Sequence, residues 1–287
     1  MKHKKQRIIL LYTKGNLGST IVLNMLSIVP ELEIVGIVQS PAVPANKGYK
    51  TVLKKHLKNM GWRFSWLVVW QRFIQLIGHA LAYIIPSLRR GTFYRRSATI
   101  IKDHHIPVFT GDINSKKAQE FIKQHKPDIL VSAYFNQILK EDVIALPPQG
   151  VLNIHPGYLP AYRGVMGYFW ALKNKEDCAG VSLHWIDAGI DTGALIAQRK
   201  ISIKPNTTQH QLHIKSAIIG TIMLRSALKK IRHKHPLPTV SIHDRDISYY
   251  TLPKEQDFEH YMQHRRFFRI RDMIAFLLRP ISKKLSP

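Results

Sequence analysis

Acidic residues are scarce in this chain: 18 Asp and Glu stand against 43 Lys and Arg, for a formal net charge of +25. A surface so short of carboxylates attracts polyanions, whether nucleic acid, an anionic membrane or phosphorylated substrates. Cysteine is nearly absent. Cys178 is alone, so no internal disulfide can form, and with no CxxC or HExxH spacing a disulfide scaffold and a zinc finger are both excluded. Long apolar runs are missing too. After the basic opening residues 1–7, the apolar stretch 8–12 is only five residues, shorter than the ~7–15 of a secretory signal core, so a basic lead-in to a buried first strand and a cytosolic location are expected. What remains is ordinary globular material, 45% hydrophobic and 21% charged over 287 residues. That excludes a disordered or low-complexity chain and suits one catalytic domain with additions.

Residues 8–12 form a continuous apolar run, the pattern of a strand buried on both faces of a parallel sheet. Gly15 and Gly18 follow, then a helical pattern over 19–26 and a second strand over 32–38. A later set repeats the alternation, with a helix at 118–125 and strands at 129–133 and 151–154. This order predicts an α/β fold, a Rossmann-like doubly wound, mostly parallel sheet with its ligands beyond the carboxyl ends of the strands.

One segment breaks the pattern. Residues 41–96 open with Lys47, Lys50, Lys54, Lys55 and Lys58 and close with Arg89, Arg90, Arg95 and Arg96. Between them, 62–85 is rich in apolar and aromatic residues. Trp62, Trp66 and Trp70 recur every four residues and would share one helix face, with Gln71, Gln75 and His79 on another. Arg72 interrupts the run, which disfavours a spanning helix of ~20 apolar residues. An interfacial helix on an anionic membrane, a helical insertion packed on the parent domain and an oligomer contact are the readings left open. The expected organisation is a catalytic domain over 1–235 carrying this insertion, then a short basic C-terminal extension over 236–287. In that extension, 239–243 reads as strand-like, and an amphipathic basic stretch from Arg265 ends at Pro280.

The most informative residues are 151–164. Asn153 and His155 alternate with Leu152 and Ile154, so both polar side chains share one face of a strand that Pro156 and Gly157 then end. An amide donor beside an imidazole suits acyl transfer: Asn153 can donate to a developing oxyanion and His155 can move a proton. The tetrapeptide also serves as a plain strand-ending turn. A second cluster, 184–193, carries Asp187 and Asp191 among glycines. A calcium loop is excluded, because the third, sixth and twelfth positions are Gly189, Thr192 and Gln198. A glycine-rich loop with a carboxylate able to orient a histidine is the functional reading that remains.

Together these stretches resemble the folate-dependent formyltransferase family, which includes glycinamide ribonucleotide, methionyl-tRNA and amino-sugar N-formyltransferases. The family pattern Asn-x-His-Pro-x-x-Leu-Pro-x-x-Arg-Gly matches 153–164, and its Asp-x-Gly-x-Asp-x-Gly loop matches 187–193 at the expected distance. The resemblance implies 10-formyltetrahydrofolate as formyl donor, no metal, and a primary amine as acceptor. It implies catalytic roles for Asn153, His155 and Asp191. Pterin binding would fall to Gln137, Ile138 and Leu139 and to Asp187, Ala188, Gly189 and Ile190. Acceptor contacts would fall to Gly15, Asn16 and Arg163, although the glycine turn is neither GxGxxG nor a Walker sequence; a plain strand-to-helix turn and a structural role for Arg163 are the alternatives. His184 is expected as a core histidine or a catalytic one.

Only 96 residues follow Asp191, too few for the second domain that methionyl-tRNA enzymes carry. The expected acceptor is therefore an amino sugar, lipid-linked or nucleotide-linked, with tRNA as the alternative that the charge permits. A peripheral site at the inner membrane face fits the insertion. A 10-formyltetrahydrofolate hydrolase and a non-catalytic basic membrane- or nucleic-acid-binding protein on the same scaffold are the further alternatives.

Overall fold

The computed structural model describes residues 5–41, 95–240, 247–270 and 272, and part of 61–85. The lysines at 47–58, Arg89 and Arg90, Gln71, Gln75 and His79, residues 241–243 and the stretch around Pro280 lie outside the described residues.

The N-terminal half alternates strand and helix: β1 (Gln6–Thr13), α1 (Leu17–Ser27), β2 (Leu32–Ser40), α2 (Ser97–Asp103), β3 (Val108–Thr110), α3 (Lys116–His125), β4 (Ile129–Ala133), α4 (Glu141–Ile144) and β5 (Val151–His155). Then come β6 (Arg163–Gly164), α5 (Gly167–Lys173), β7 (Cys178–Trp185), β8 (Leu195–Ser202), α6 (Gln209–Arg232), β9 (Tyr249–Tyr250) and α7 (Glu255–His264). Seven strands form one sheet in the order β3-β2-β1-β4-β5-β7-β8. The first five are parallel, and β7 and β8 run antiparallel at one side. This is the doubly wound architecture that the residue pattern predicts.

Period two decides which side of the sheet each residue fills. Ile8, Leu10 and Tyr12 of β1 enter the larger core cluster, while Ile9 and Leu11 enter the cluster on the opposite face. Both faces are covered by helices, so the parallel strands read as unbroken hydrophobic runs. On the larger side lies α6, opened by a capping box in which Thr208 and Gln211 satisfy each other's backbone N–H. It packs across α1, β5, β7 and β8.

The described C-terminal residues fold back onto this body. Phe258 and Tyr261 of α7 are buried and stack on Phe169 of α5, and Phe267 joins the same cluster. β9 pairs in parallel with β6 and so lies against the loop after β5. Residues 239 and 240, expected to begin a strand, are not in one. The Val240 N–H instead donates to the Leu195 carbonyl at 2.8 Å, at the start of β8.

The described positions within 61–84 are helical. Every described hydrophobic side chain from residue 66 to 84 is exposed, with Trp66 at 61% and Ile84 at 71%. Among the described residues, no helix is long and apolar enough to cross a membrane.

Candidate active site

The parallel strands β1, β4 and β5 end at one edge of the sheet, and the strand order reverses between β1 and β4. The residues after these strands therefore share the crevice where doubly wound sheets bind ligands. Gly15 and Asn16 follow β1, Gln137 to Leu139 follow β4, and Asn153 and His155 end β5. The 187–191 loop leaves β7 beside the start of β5, because the two strands are antiparallel and Trp185 pairs with Leu152, and it folds back to bring Asp191 to Asn153 and His155.

Asn153, His155 and Asp191 meet there. The Asp191 carboxylate lies 3.3 Å from His155 Nδ1 through Oδ2 and 3.5 Å from Asn153 Nδ2 through Oδ1. Asp191 Oδ2 also accepts from the Gly164 N–H at 2.8 Å. His155 is 2% exposed, and its Nε2 sits 2.8 Å from the Tyr162 carbonyl. Both neighbours of the ring are acceptors, so only the imidazolium places an N–H against each. Burial works against that charge and lowers the ring's pKa from its ordinary value, with Asp191 opposing. Burial likewise acts to raise Asp191. The His155 charge and the Gly164 N–H outweigh it and hold the carboxyl down at about 2. The two influences on His155 conflict. We favour the charged ring, because the geometry satisfies only that form.

His184, expected either in the core or in catalysis, is in the cluster. In the β5–β7 register it pairs with Asn153. Its Nδ1 faces the Trp185 carbonyl at 2.7 Å, which sets the proton on Nδ1 and leaves Nε2 to accept from Asn153 Nδ2 at 3.0 Å. That bond fixes the amide's orientation. The second Asn153 N–H has only the 3.5 Å contact to Asp191, so it is the donor a substrate oxyanion can take over.

The 187–193 loop is closed by its own chemistry. Asp187 accepts from the Gly189 N–H at 3.1 Å and from the Thr192 hydroxyl at 2.6 Å. Asp191 itself adopts φ 52°, the left-handed region Asp tolerates better than most residues. A β-carbon at Gly193 would overlap the Trp185 carbonyl oxygen, so only glycine lets the loop return onto β7. Ala188, Gly189 and Ile190 are exposed and free to face a ligand.

The other expected residues sit at this edge with duties already assigned. Gln137 spends its side chain on the loop after β3, accepting from the Ile113 N–H at 2.8 Å and donating to the Gly111 carbonyl at 3.0 Å. Leu139 is buried in the smaller core cluster, and Ile138 is 64% exposed. Any ligand contact here therefore falls to backbone and Ile138. Asn16 caps α1 by accepting from the Ser19 N–H at 3.1 Å, and Gly15 takes φ 75° in the turn before it. Arg163 is half-buried in β6, its Nε enclosed without a hydrogen bond. Sequence reasoning passed over the Tyr162 carbonyl and the Gly164 N–H, since main-chain groups leave no mark on side-chain patterns. Among the described residues no cluster of His, Cys, Asp and Glu could hold a metal ion.

A doubly wound sheet that brings amide, imidazole and carboxylate together is an arrangement able to support acyl transfer. Residues 108–228 match the formyl transferase family model. It is 40% identical over 118 residues to the methionyl-tRNA formyltransferase of Acetivibrio thermocellus, a match covering 40% of this chain and 38% of that protein. The N-formyltransferase from Helicobacter canadensis, solved with folinic acid and dTDP-3-aminofucose, superposes with a TM-score of 0.56 at 19% identity. That match covers 93% of this chain and 82% of that one. The phosphoribosylglycinamide formyltransferase of Anaplasma phagocytophilum gives 0.55 at 17% identity, covering 87% and 100%. At these identities the structural matches establish the shared fold.

Proposed function

We propose that the protein is an N-formyltransferase that moves the formyl group of 10-formyltetrahydrofolate to the primary amine of an amino sugar, nucleotide-linked or lipid-linked, in the cytoplasm. The observation that carries this reading is the convergence of Asn153, His155 and Asp191 within hydrogen-bond reach at the carboxyl edge of the sheet.

The chemistry follows from those groups. The neutral amine attacks the formyl carbon, forming a C–N bond and a tetrahedral oxyanion. The Asn153 N–H that faces Asp191 and the positive charge of the His155 imidazolium stabilise that oxygen. Collapse breaks the bond to the folate nitrogen, and the proton lost by the amine is delivered to that nitrogen. Asp191 keeps His155 charged or, through water, carries the proton between the two nitrogens. The folate ring would lie against the exposed 188–190 backbone and Ile138. Gly15, Asn16 and Arg163 would meet the acceptor from the opposite side.

An amino-sugar acceptor accords with the Helicobacter canadensis enzyme, which was solved with dTDP-3-aminofucose. Methionyl-tRNA is the second reading, favoured by the 40% identity to the Acetivibrio thermocellus enzyme and by the +25 charge. The test is release of tetrahydrofolate from 10-formyltetrahydrofolate in the presence of an amino-sugar nucleotide, a lipid extract or tRNA. Asn153→Ala removes an oxyanion donor and should lower turnover roughly 100- to 1,000-fold. Release that needs tRNA would establish the second reading, and release with no acceptor would establish a hydrolase. Wild-type turnover in Asn153→Ala would refute the assignment of the site.

A further inference from the structure

Resting on the formyl-transfer reading, we infer that the apolar helix within 61–85 docks the protein on an anionic bilayer, so that the acceptor amine is carried on a membrane lipid. By their spacing Trp66, Trp70, Phe73, Ile77 and Ile84 share one helix face. Instead of being buried, this face is exposed. Tryptophan is the side chain suited to the boundary between headgroups and acyl chains.

Charge selects the occupant. Residues 41–96 contain 11 Lys and Arg and no Asp or Glu. Two copies meeting through this segment would bring like charge together, on chains that each carry +25. An anionic bilayer neutralises the same charge and gains with each basic residue near its surface. An RNA would meet the cations but leave the aliphatic half of the face in water.

Position ties the helix to the site. Gly61, at its start, is buried with φ +75°, and a β-carbon there would overlap the Glu255 carboxylate at the head of α7. Just before α7, Tyr249 and Tyr250 pair with Arg163 and Gly164, and the Gly164 N–H holds Asp191. The helix thus starts against α7, and the strand just before α7 pairs with the one whose Gly164 holds Asp191.

The experiment is flotation of the full chain at physiological salt with phosphatidylglycerol–phosphatidylethanolamine vesicles and with phosphatidylcholine vesicles. Binding to the anionic vesicles should be at least about tenfold tighter, and Trp66→Glu/Ile77→Glu should weaken it at least about tenfold. The melting temperature and folinic acid binding of the variant should stay at wild-type values. As a measurement on unaltered protein, bromine-labelled lipid in the anionic vesicles should quench tryptophan fluorescence. Absence of wild-type binding to anionic vesicles, or absence of quenching, overturns the proposal. So does a wild-type dimer that ignores vesicles and is split by the double substitution. Vesicle binding without folinic acid binding would leave the docking surface standing and sink the formyl-transfer reading; folinic acid binding without vesicle binding would do the reverse.

Discussion

Replacing Asp191 by Asn changes one charge at nearly constant shape, and the structure sets what should follow. The carboxylate receives the Gly164 N–H and faces His155 and His184. Its pKa is held from 3.8 down to about 2, which corresponds to about 2 kcal/mol of folded-state stabilisation. Because the folded pKa lies below the unfolded one, the contribution is complete above the unfolded value. It should fall to about half near pH 3 and nearly vanish by pH 2. The asparagine amide keeps an acceptor for Gly164 but can place an N–H against His155, where the imidazolium also has one. Asp191→Asn should therefore cost about 2 kcal/mol in urea unfolding at pH 7, and the difference from wild type should narrow as the pH drops from 4 to 2. Turnover in the tetrahydrofolate-release assay should fall by ~100-fold or more, since the buried His155 loses the anion that supports its charge. A variant within a few tenths of a kcal/mol of wild type at pH 7, with the same acid dependence, would refute the coupling of Asp191 to the histidines.

Three further perturbations test separate parts of the structure. His184→Ala frees the Asn153 amide to rotate and should lower turnover about 100-fold, with KM for the donor moving far less. His184→Gln, which can accept from the same N–H, should recover part of that loss, and equal kinetics in both variants would deny the positioning role. Gly193→Ala should destabilise by ~1–3 kcal/mol in urea unfolding, because the new β-carbon meets the Trp185 carbonyl. Tyr261→Ala empties a fully buried site and removes the hydroxyl that donates to the Arg266 carbonyl at 2.7 Å. It should cost ~3–5 kcal/mol by the same measurement, and a loss below 1 kcal/mol would mean that α7 is not integral to the fold.

The sequence by itself determined the sheet and two of its site-bearing segments, because the information there is local. Runs such as 8–12 and 129–133 are hydrophobic throughout because both faces of a parallel strand are buried, and the alternation at 151–155 places Asn153 and His155 on one side whatever lies elsewhere. The spacing of 187–193 marked a closed glycine loop for the same reason. Tertiary structure decided what depends on register and return of the chain. His184 reads as an ordinary strand residue until the antiparallel pairing of β7 sets it opposite Asn153. Gly164 becomes a hydrogen-bond donor to Asp191 only because β6 is held by β9, 85 residues later in the Arg163–Ser248 contact. The tryptophan spacing announced a helix face but not its surroundings. Whether an apolar face is covered depends on the elements that pack against it, and such contacts lie too far apart in sequence for any local pattern to record.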